Sequence, residues 1–270
     1  MTEIERLKTQ LKRLSLHTMA AVFEEEAQTA AKSQMSYTAF LARLVDEEIA
    51  AKTDRSINAR IAKARFPSIK TLESFDFAFQ PSLSAARIKE LAELGFLDRA
   101  ENVLLVGPPG VGKTHLAIAL GLKACAAKKR VLFIHSAVLL DQLIAATVDR
   151  SLGAKLDSLA RLDLLICDEL GYMPMDSQRA NLFFQLVSRR YEKGSIILTT
   201  NKPFADWGQV FGDDVIASAI LDRLLHHSQI FAINGPSYRI RDKLDRSKLS
   251  QEDKGVKSDD LTGSNSSRLF

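Results

Sequence analysis

The sequence predicts an α/β three-layer fold: a five-stranded parallel sheet covered by helices, preceded by a small all-helical domain. Three observations carry that prediction. Short apolar runs alternate with helical stretches between residues 101 and 235. A glycine-rich loop separates the first of those runs from the helix after it. The first 66 residues contain no Gly and no Pro, and their apolar positions recur at helical spacing.

Residues 1–66 read as a helical domain. Ile4, Leu7, Leu11 and Leu14 recur at three- and four-residue steps, which places them on one helical face. Tyr37, Phe40, Leu41, Leu44, Val45 and Ile49 repeat the pattern, with Ser36 as the N-cap. The unit is expected to end at Phe66-Pro67, because a proline excludes the residue before it from the helical region. Residues 67–100 read as a connector. Glu73–Phe79 alternates aromatic with small or polar residues and is expected to be extended, and Leu83–Leu94 to be a helix stopped by Gly95. Residues 101–249 form the α/β domain. Its strands are expected at Val103–Val106, Val131–Ile134, Leu164–Cys167, Ile196–Thr199 and Ile230–Ile233. They are short and lack polar alternation, as strands buried on both faces do. Helices are expected at Thr114–Ala127, Ala137–Val148, Gln178–Tyr191 and Val215–Leu225. Residues 250–270, rich in Ser, Asp, Lys and Gly, are expected to be a disordered tail.

Composition narrows the class. Of 270 residues, 46% are hydrophobic and 26% charged, which excludes a wholly disordered chain, a collagen and a disulfide mini-protein. The net charge of +4 permits an anionic partner without showing one. Cys125 and Cys167 sit in apolar stretches without metal-ligand spacing, so a reducing cytoplasm is the expected compartment. Residues 1–30 are interleaved with Glu, Lys and Arg, unlike a signal peptide. No apolar run approaches the roughly 20 residues that span a bilayer, so no membrane partner is expected.

The loop Gly107-Pro108-Pro109-Gly110-Val111-Gly112-Lys113-Thr114 follows the strand Asn102–Val106 and opens a helix, the context of a phosphate-binding loop. Glycines let backbone N–H groups turn inward around phosphate oxygens, and the helix N-terminus adds a favourable dipole. Lys113 would reach the β- and γ-phosphates of ATP, and Thr114 would offer a hydroxyl to Mg²⁺. A second apolar strand ends in Asp168-Glu169. Asp168 would hold Mg²⁺ through its water shell, and Glu169 would act as general base on the attacking water. A small-molecule kinase has no use for that base, so hydrolysis is favoured over transfer. A third strand ends at Thr200-Asn201 and should lie between the other two, which would place Asn201 to hydrogen-bond the attacking water or the γ-phosphate. Arg223 lies near the end of a helix. It could pair with Asp222 or Glu192, or project to a neighbouring subunit's γ-phosphate. Phe75, Phe77 and Phe79 could border the adenine, with core packing at least as well suited to each. His226-His227 has no cysteine or acidic partner at zinc spacing and reads as structural.

These elements, in this order, resemble an AAA+ ATPase. The runs Glu101–Ala119, Asp168–Pro174, Arg189–Tyr191, Leu198–Pro203, Ala219–His227 and Gly235–Arg239 resemble more narrowly the IstB branch of the DnaC/IstB family, over roughly residues 70–245. The resemblance implies an AAA+ parallel sheet and a Mg²⁺-dependent ATPase whose site lies at a subunit boundary. Arg223 matches the position of its trans-acting arginine finger. It also implies dimers that assemble into larger helical or ring-like oligomers, with residues 1–66 serving assembly and DNA binding. The implied role is help to an IstA-type transposase in moving an insertion sequence, by binding and remodelling duplex DNA. A DnaC-like helicase loader is the alternative. Arg239 falls where a second sensor arginine is sometimes found, though a structural role suits it better.

Basic residues concentrate where DNA could bind. Residues 52–70 hold Lys52, Arg55, Arg60, Lys63, Arg65 and Lys70 against Asp54 alone, a local excess of +5. Residues 239–248 hold five basic residues against Asp242 and Asp245, an excess of +3. Arg55, Arg60, Lys63 and Arg65 are the DNA-contact candidates. Such clusters supply salt-sensitive phosphate contacts, and nothing resembles a base-reading motif, so weak sequence preference is expected.

Overall fold

Asn102–Val106 (β1), Val131–His135 (β2), Leu164–Leu170 (β3), Ser195–Thr200 (β4) and Ser228–Ala232 (β5) pair in parallel in the order β2-β3-β4-β1-β5. The computed structural model describes residues 1–172 and 174–240. The predicted tail over 250–270, the end of the α/β domain after Ile240, and Arg241, Lys243, Arg246 and Lys248 therefore lie outside the described residues.

The sheet is buried on both faces, as its sequence requires. Along β3, Leu164 and Ile166 enter one hydrophobic core while Leu165 and Cys167 enter the other. Lys113–Ala126 (α6) packs its Leu116 and Leu120 into the first core. Ser136–Val148 (α7), Leu152–Ala160 (α8), Ser177–Arg190 (α9), Trp207–Phe211 (α10) and Asp214–His226 (α11) fill the second. The α8 and α10 helices are short and were not expected; each is fixed by apolar residues it buries, Leu156 and Leu159 in one, Trp207 and Phe211 in the other. At the sheet edge, β5 begins at Ser228, earlier than its apolar run. Register with β1, Asn102 opposite Ser228, recruits polar residues that an edge position tolerates.

Glu3–Arg13 (α1), His17–Lys32 (α2) and Tyr37–Ala64 (α3) form the expected helical region, with Ser36 Oγ accepting from Ala39 N as the cap of α3. Its apolar faces are only partly covered. Met19, Phe23 and Leu44 make a small core with Leu11 and Phe40 packed on it. Ile4, Leu7, Tyr37, Leu41, Val45 and Ile49 remain exposed. The far half of α3 belongs to the main core: Ala64 is fully buried there, Ile61 packs against it, and the ring of the following Phe66 lies tilted against that of Phe133 with centroids 6.2 Å apart. Gly121 on α6 makes room, since a Cβ would stand 2.7 Å from both Phe66 and Ile166 atoms.

One carboxylate ties this region together. Glu48 of α3 is 3% exposed and accepts from Thr18 N at 2.7 Å and Met19 N at 2.9 Å, in the first turn of α2. Burial alone would raise its pKa. The two amide donors, with Lys52 and Arg55, outweigh that and hold it below the usual carboxylate range. The folded pKa thus lies below the unfolded one. The stabilisation is complete above the ordinary glutamate value near 4.3 and is lost as pH falls through the lowered folded value. We expect Glu48→Gln to cost the helical region about 1–2 kcal/mol at neutral pH and to remove that acid sensitivity. Thermal melts across a pH series read both, and an unchanged acid limb in the variant would remove Glu48 from the account.

The connector departs from expectation twice. Residues 73–74 and 77–79 are turns, and no strand forms over 73–79. Local bonds explain this: Ser74 Oγ donates to Thr71 O at 2.9 Å, and Phe79 N donates to Asp76 Oδ1 at 3.1 Å. Such side chains offer the backbone an alternative to a ladder. The second departure concerns the predicted Leu83–Leu94 helix, which is Ala85–Ala92 (α4). Leu94, at φ 65°, makes the left-handed turn assigned to Gly95, and Gly95 instead opens Gly95–Asp98 (α5).

Candidate nucleotide site

The glycine-rich loop joins β1 to α6 at the C-terminal edge of the sheet, beside a cavity of about 470 Å³. Gly110 and Gly112 have φ of 83° and 103°, which L side chains rarely adopt. A Cβ on Gly110 would lie 2.0 Å from Ser237 Oγ, and one on Gly112 would lie 2.6 Å from Phe75 Cε2. Only glycine fits both positions. Lys113 arches back over the loop, donating to Gly107 O at 2.7 Å and Pro108 O at 2.8 Å. Burial pulls its ammonium below the usual lysine range; Arg239 adds to this, while Asp168 and Glu169 oppose it.

At the end of β3, Thr114 Oγ1 donates to Asp168 Oδ1 at 2.9 Å. Asp168 is 1% exposed, and its Oδ2 is buried without a hydrogen-bond partner. Asn201 lines the cavity, and its Oδ1 is likewise buried and unpartnered. Buried acceptors left bare are rare and costly. Two of them beside a phosphate loop are a donor set suited to a hydrated Mg²⁺ and a bound water. The expected strand order holds: β4 lies between β1 and β3, which brings Asn201 to this edge.

Adjacent residues of a strand face opposite ways, yet Asp168 and Glu169 converge. One oxygen of each and one nitrogen of His135 lie within 4.8 Å of one another. Glu169 takes φ 59° at an irregularity in the β3–β4 register between Cys167 and Leu170, and this turns its side chain toward the cavity. Sequence reading missed two neighbours, His135 and Thr199. His135 Nδ1 stands 3.5 Å from Asp168 Oδ2. Thr199 Oγ1 donates to Asp168 Oδ1 at 2.7 Å and accepts from Glu169 N at 2.9 Å. Both lie at C-terminal ends of parallel strands, where ligands of such sheets gather; that position was the available signal.

Other expected residues are distributed as follows. Arg223 stays out of this cavity: its Nη1 donates to Ala219 O at 3.0 Å and its guanidinium sits 4.7 Å over the Phe184 ring. Among the described residues it forms no ion pair with Asp222 or Glu192. Arg239 does line the cavity, as do Lys70 and Phe75, whereas Phe77 packs on the core and Phe79 stands edge-on to Tyr238. His226-His227 has an acidic partner that spacing concealed: Glu192, just past α9, approaches His227 Nε2 at 3.5 Å. Tyr191 Oη lies 2.6 Å from His226 Nδ1, so the pair links the ends of α9 and α11. Burial pushes the Cys167 thiol up to about 12, in keeping with packing.

The basic stretch is less uniform than its charge count. Arg55 Nη2 is 3.1 Å from Glu48, and Lys52 is 3.9 Å from the same carboxylate. Arg60 is half-buried with its Nε enclosed and unpartnered, while Lys63 and Arg65 are exposed, Arg65 at the left-handed end of α3.

Fold and site together define an α/β domain of the AAA+ type with a phosphate loop. The family model for IstB-like ATP binding proteins matches residues 9–246, and the chain belongs to that family. A Pseudomonas aeruginosa protein named for insertion sequence IS21 and ATP binding is 46% identical over 97% of this chain and 98% of its own length. A Geobacillus stearothermophilus protein named likewise for IS5376 is 46% identical over 88% of this chain and 95% of its own. The solved structure of the replication initiator DnaA, bound to AMPPCP and single-stranded DNA, shares the fold at 18% identity with a TM-score of 0.54, covering 74% of this chain and 67% of that one. No helix among the described residues is long and apolar enough to cross a membrane.

Proposed function

We propose that this chain is a Mg²⁺-dependent ATPase that assembles on duplex DNA and assists an IstA-type transposase in moving an insertion sequence. The observation that carries the ATP chemistry is the pair of buried acceptors that take no hydrogen bond, Asp168 Oδ2 and Asn201 Oδ1, beside Lys113 and the glycine loop. Lys113 leaves the Gly107 and Pro108 carbonyls to hold the β- and γ-phosphates. Thr114 Oγ1 and Asp168 would hold Mg²⁺, Asp168 through water, with the Thr114 hydroxyl keeping its proton and still donating a hydrogen bond to Asp168 Oδ1. Bound Mg²⁺ neutralises phosphate charge. Glu169 takes the proton of the attacking water, and Asn201 orients that water. Arg223, which does not reach its own chain's cavity, serves a neighbouring subunit's γ-phosphate.

Assembly is supported by the uncovered apolar positions of α1 and α3, which suit a homo-oligomer built from dimers. DNA contact falls to Lys63 and Arg65, with Arg55 and Arg60 already engaged or half-buried, and carries weak sequence preference. The insertion-sequence setting comes from the relatives' names, and the transposase partner is what the resemblance to the family implies.

The test is electron microscopy of the protein with ATP and duplex DNA across a salt series, beside nucleotide titration of the parent and Lys113→Ala. The parent should form assemblies that weaken steeply with salt. Lys113→Ala should bind ATP roughly a hundredfold more weakly and fail to assemble. Free monomers at every salt concentration would sink the DNA-assembly mechanism.

A further inference from the structure

We infer that Thr199 is the positioning residue that sets Glu169 and Asp168 for the hydrolysis proposed above, through one buried hydroxyl that holds both. The inference rests on that reading of the site.

Side chains of consecutive strand residues point to opposite faces, so a regular β3 would separate Asp168 from Glu169. They converge because Glu169 occupies the left-handed region at φ 59°. A non-glycine residue there is strained and persists only where its surroundings hold it. The hold visible on the backbone of Glu169 comes from the neighbouring strand: its N–H donates to Thr199 Oγ1 at 2.9 Å. A hydroxyl that accepts this bond has its own proton to give, and that proton goes to Asp168 Oδ1 at 2.7 Å. The two bonds therefore fix each other's direction. Thr199 is fully buried and borders the cavity.

The second carboxylate benefits differently. Asp168 Oδ1 receives two hydroxyl protons, from Thr114 and Thr199, and Oδ2 receives none. Of those donors, Thr114 belongs to the loop that meets the nucleotide. Thr199 belongs to β4, inside the sheet, and is the fixed one. Its β-branched side chain restricts χ1 and keeps the hydroxyl in place.

The test uses the full chain with Thr199→Val, which keeps the shape and removes the hydroxyl, Thr199→Ala, which removes it by deletion, and Thr199→Ser, which keeps it. The first readout needs no nucleotide. Hydrogen exchange at the Glu169 amide should quicken in the Val and Ala variants and remain parental in Ser. Nucleotide titration should give ATP affinity within about threefold of the parent for all three, while turnover falls roughly tenfold to a hundredfold in Val and Ala and returns in Ser. Added to Glu169→Gln, Thr199→Val should lower residual turnover by much less than it does in the parent, because its effect through Glu169 is already lost and only its hold on Asp168 remains. Parental protection and turnover in a folded Val or Ala variant would overturn the inference, as would losses that multiply fully in the double variant. If Val does not fold, Ala and Ser decide between hydroxyl and methyl. A parent that turns over no ATP would remove the ATPase reading instead, and the exchange measurement would still decide what holds Glu169.

Discussion

Glu169→Gln will bind ATP as the parent does and turn it over about a hundredfold to ten-thousandfold more slowly, the range for losing a general base. Glutamine keeps the volume and one acceptor oxygen but cannot take a proton at neutral pH. The substitution should leave the fold intact, because the Glu169 contact that shapes the strand is its backbone N–H to Thr199, not its half-exposed side chain. We further propose that hydrolysis releases subunits, so assemblies on DNA should then persist after ATP is added. Phosphate release and nucleotide affinity measured together check this. Normal turnover would show that another group accepts the proton, and His135, 3.7 Å from the Glu169 carboxylate, would be next to examine.

Arg190→Met will destabilise the α/β domain by about 3–5 kcal/mol, because it strips a charged donor from several buried acceptors at once. Arg190 is 1% exposed. Its Nη1 donates to Leu159 O and to Leu162 O, and its Nη2 to Ser195 O at 2.7 Å. It thereby ties the end of α8 and the chain after it to the start of β4. Burial lowers its pKa to about 10, so it remains charged at neutral pH. Methionine fills the apolar stem but removes the charged donor from all three carbonyls, of which Leu159 O keeps only the Leu162 N–H. The midpoint of thermal unfolding should drop by roughly 10 °C for a domain of this size. A drop of only a degree or two would mean that the carbonyls find other donors.

The sheet was legible in the sequence because strands buried on both faces are written as unbroken apolar runs. The loop at 107–114 was legible because its chemistry leaves little choice of residue. The position of β4 between β1 and β3 followed as well. Legibility ended where tertiary contacts override local pattern. Leu94 and Glu169 adopt left-handed backbone that their residue types do not announce. Glu73–Phe79 looks like a strand by alternation and is folded into turns by Ser74 and Asp76. Helical spacing in α1 and α3 marks an apolar face but does not say what covers it, and most of it is uncovered in the single chain. The charge count over 52–70 likewise hid Glu48, which engages Arg55 and Lys52 from within α3.

The α3 helix has one more consequence, a matter of leverage. Its 28 residues make a rod of about 42 Å. The C-terminal end is clamped in the main core and leads directly into Pro67, Ser68 and Lys70, which line the nucleotide cavity. The other end carries Tyr37 and Leu41 in solvent. With the fulcrum at the clamped end, a tilt of about 5° displaces the free tip by roughly 4 Å. A small adjustment at the clamped end would therefore move the far end of the rod by nearly the spacing between neighbouring strands.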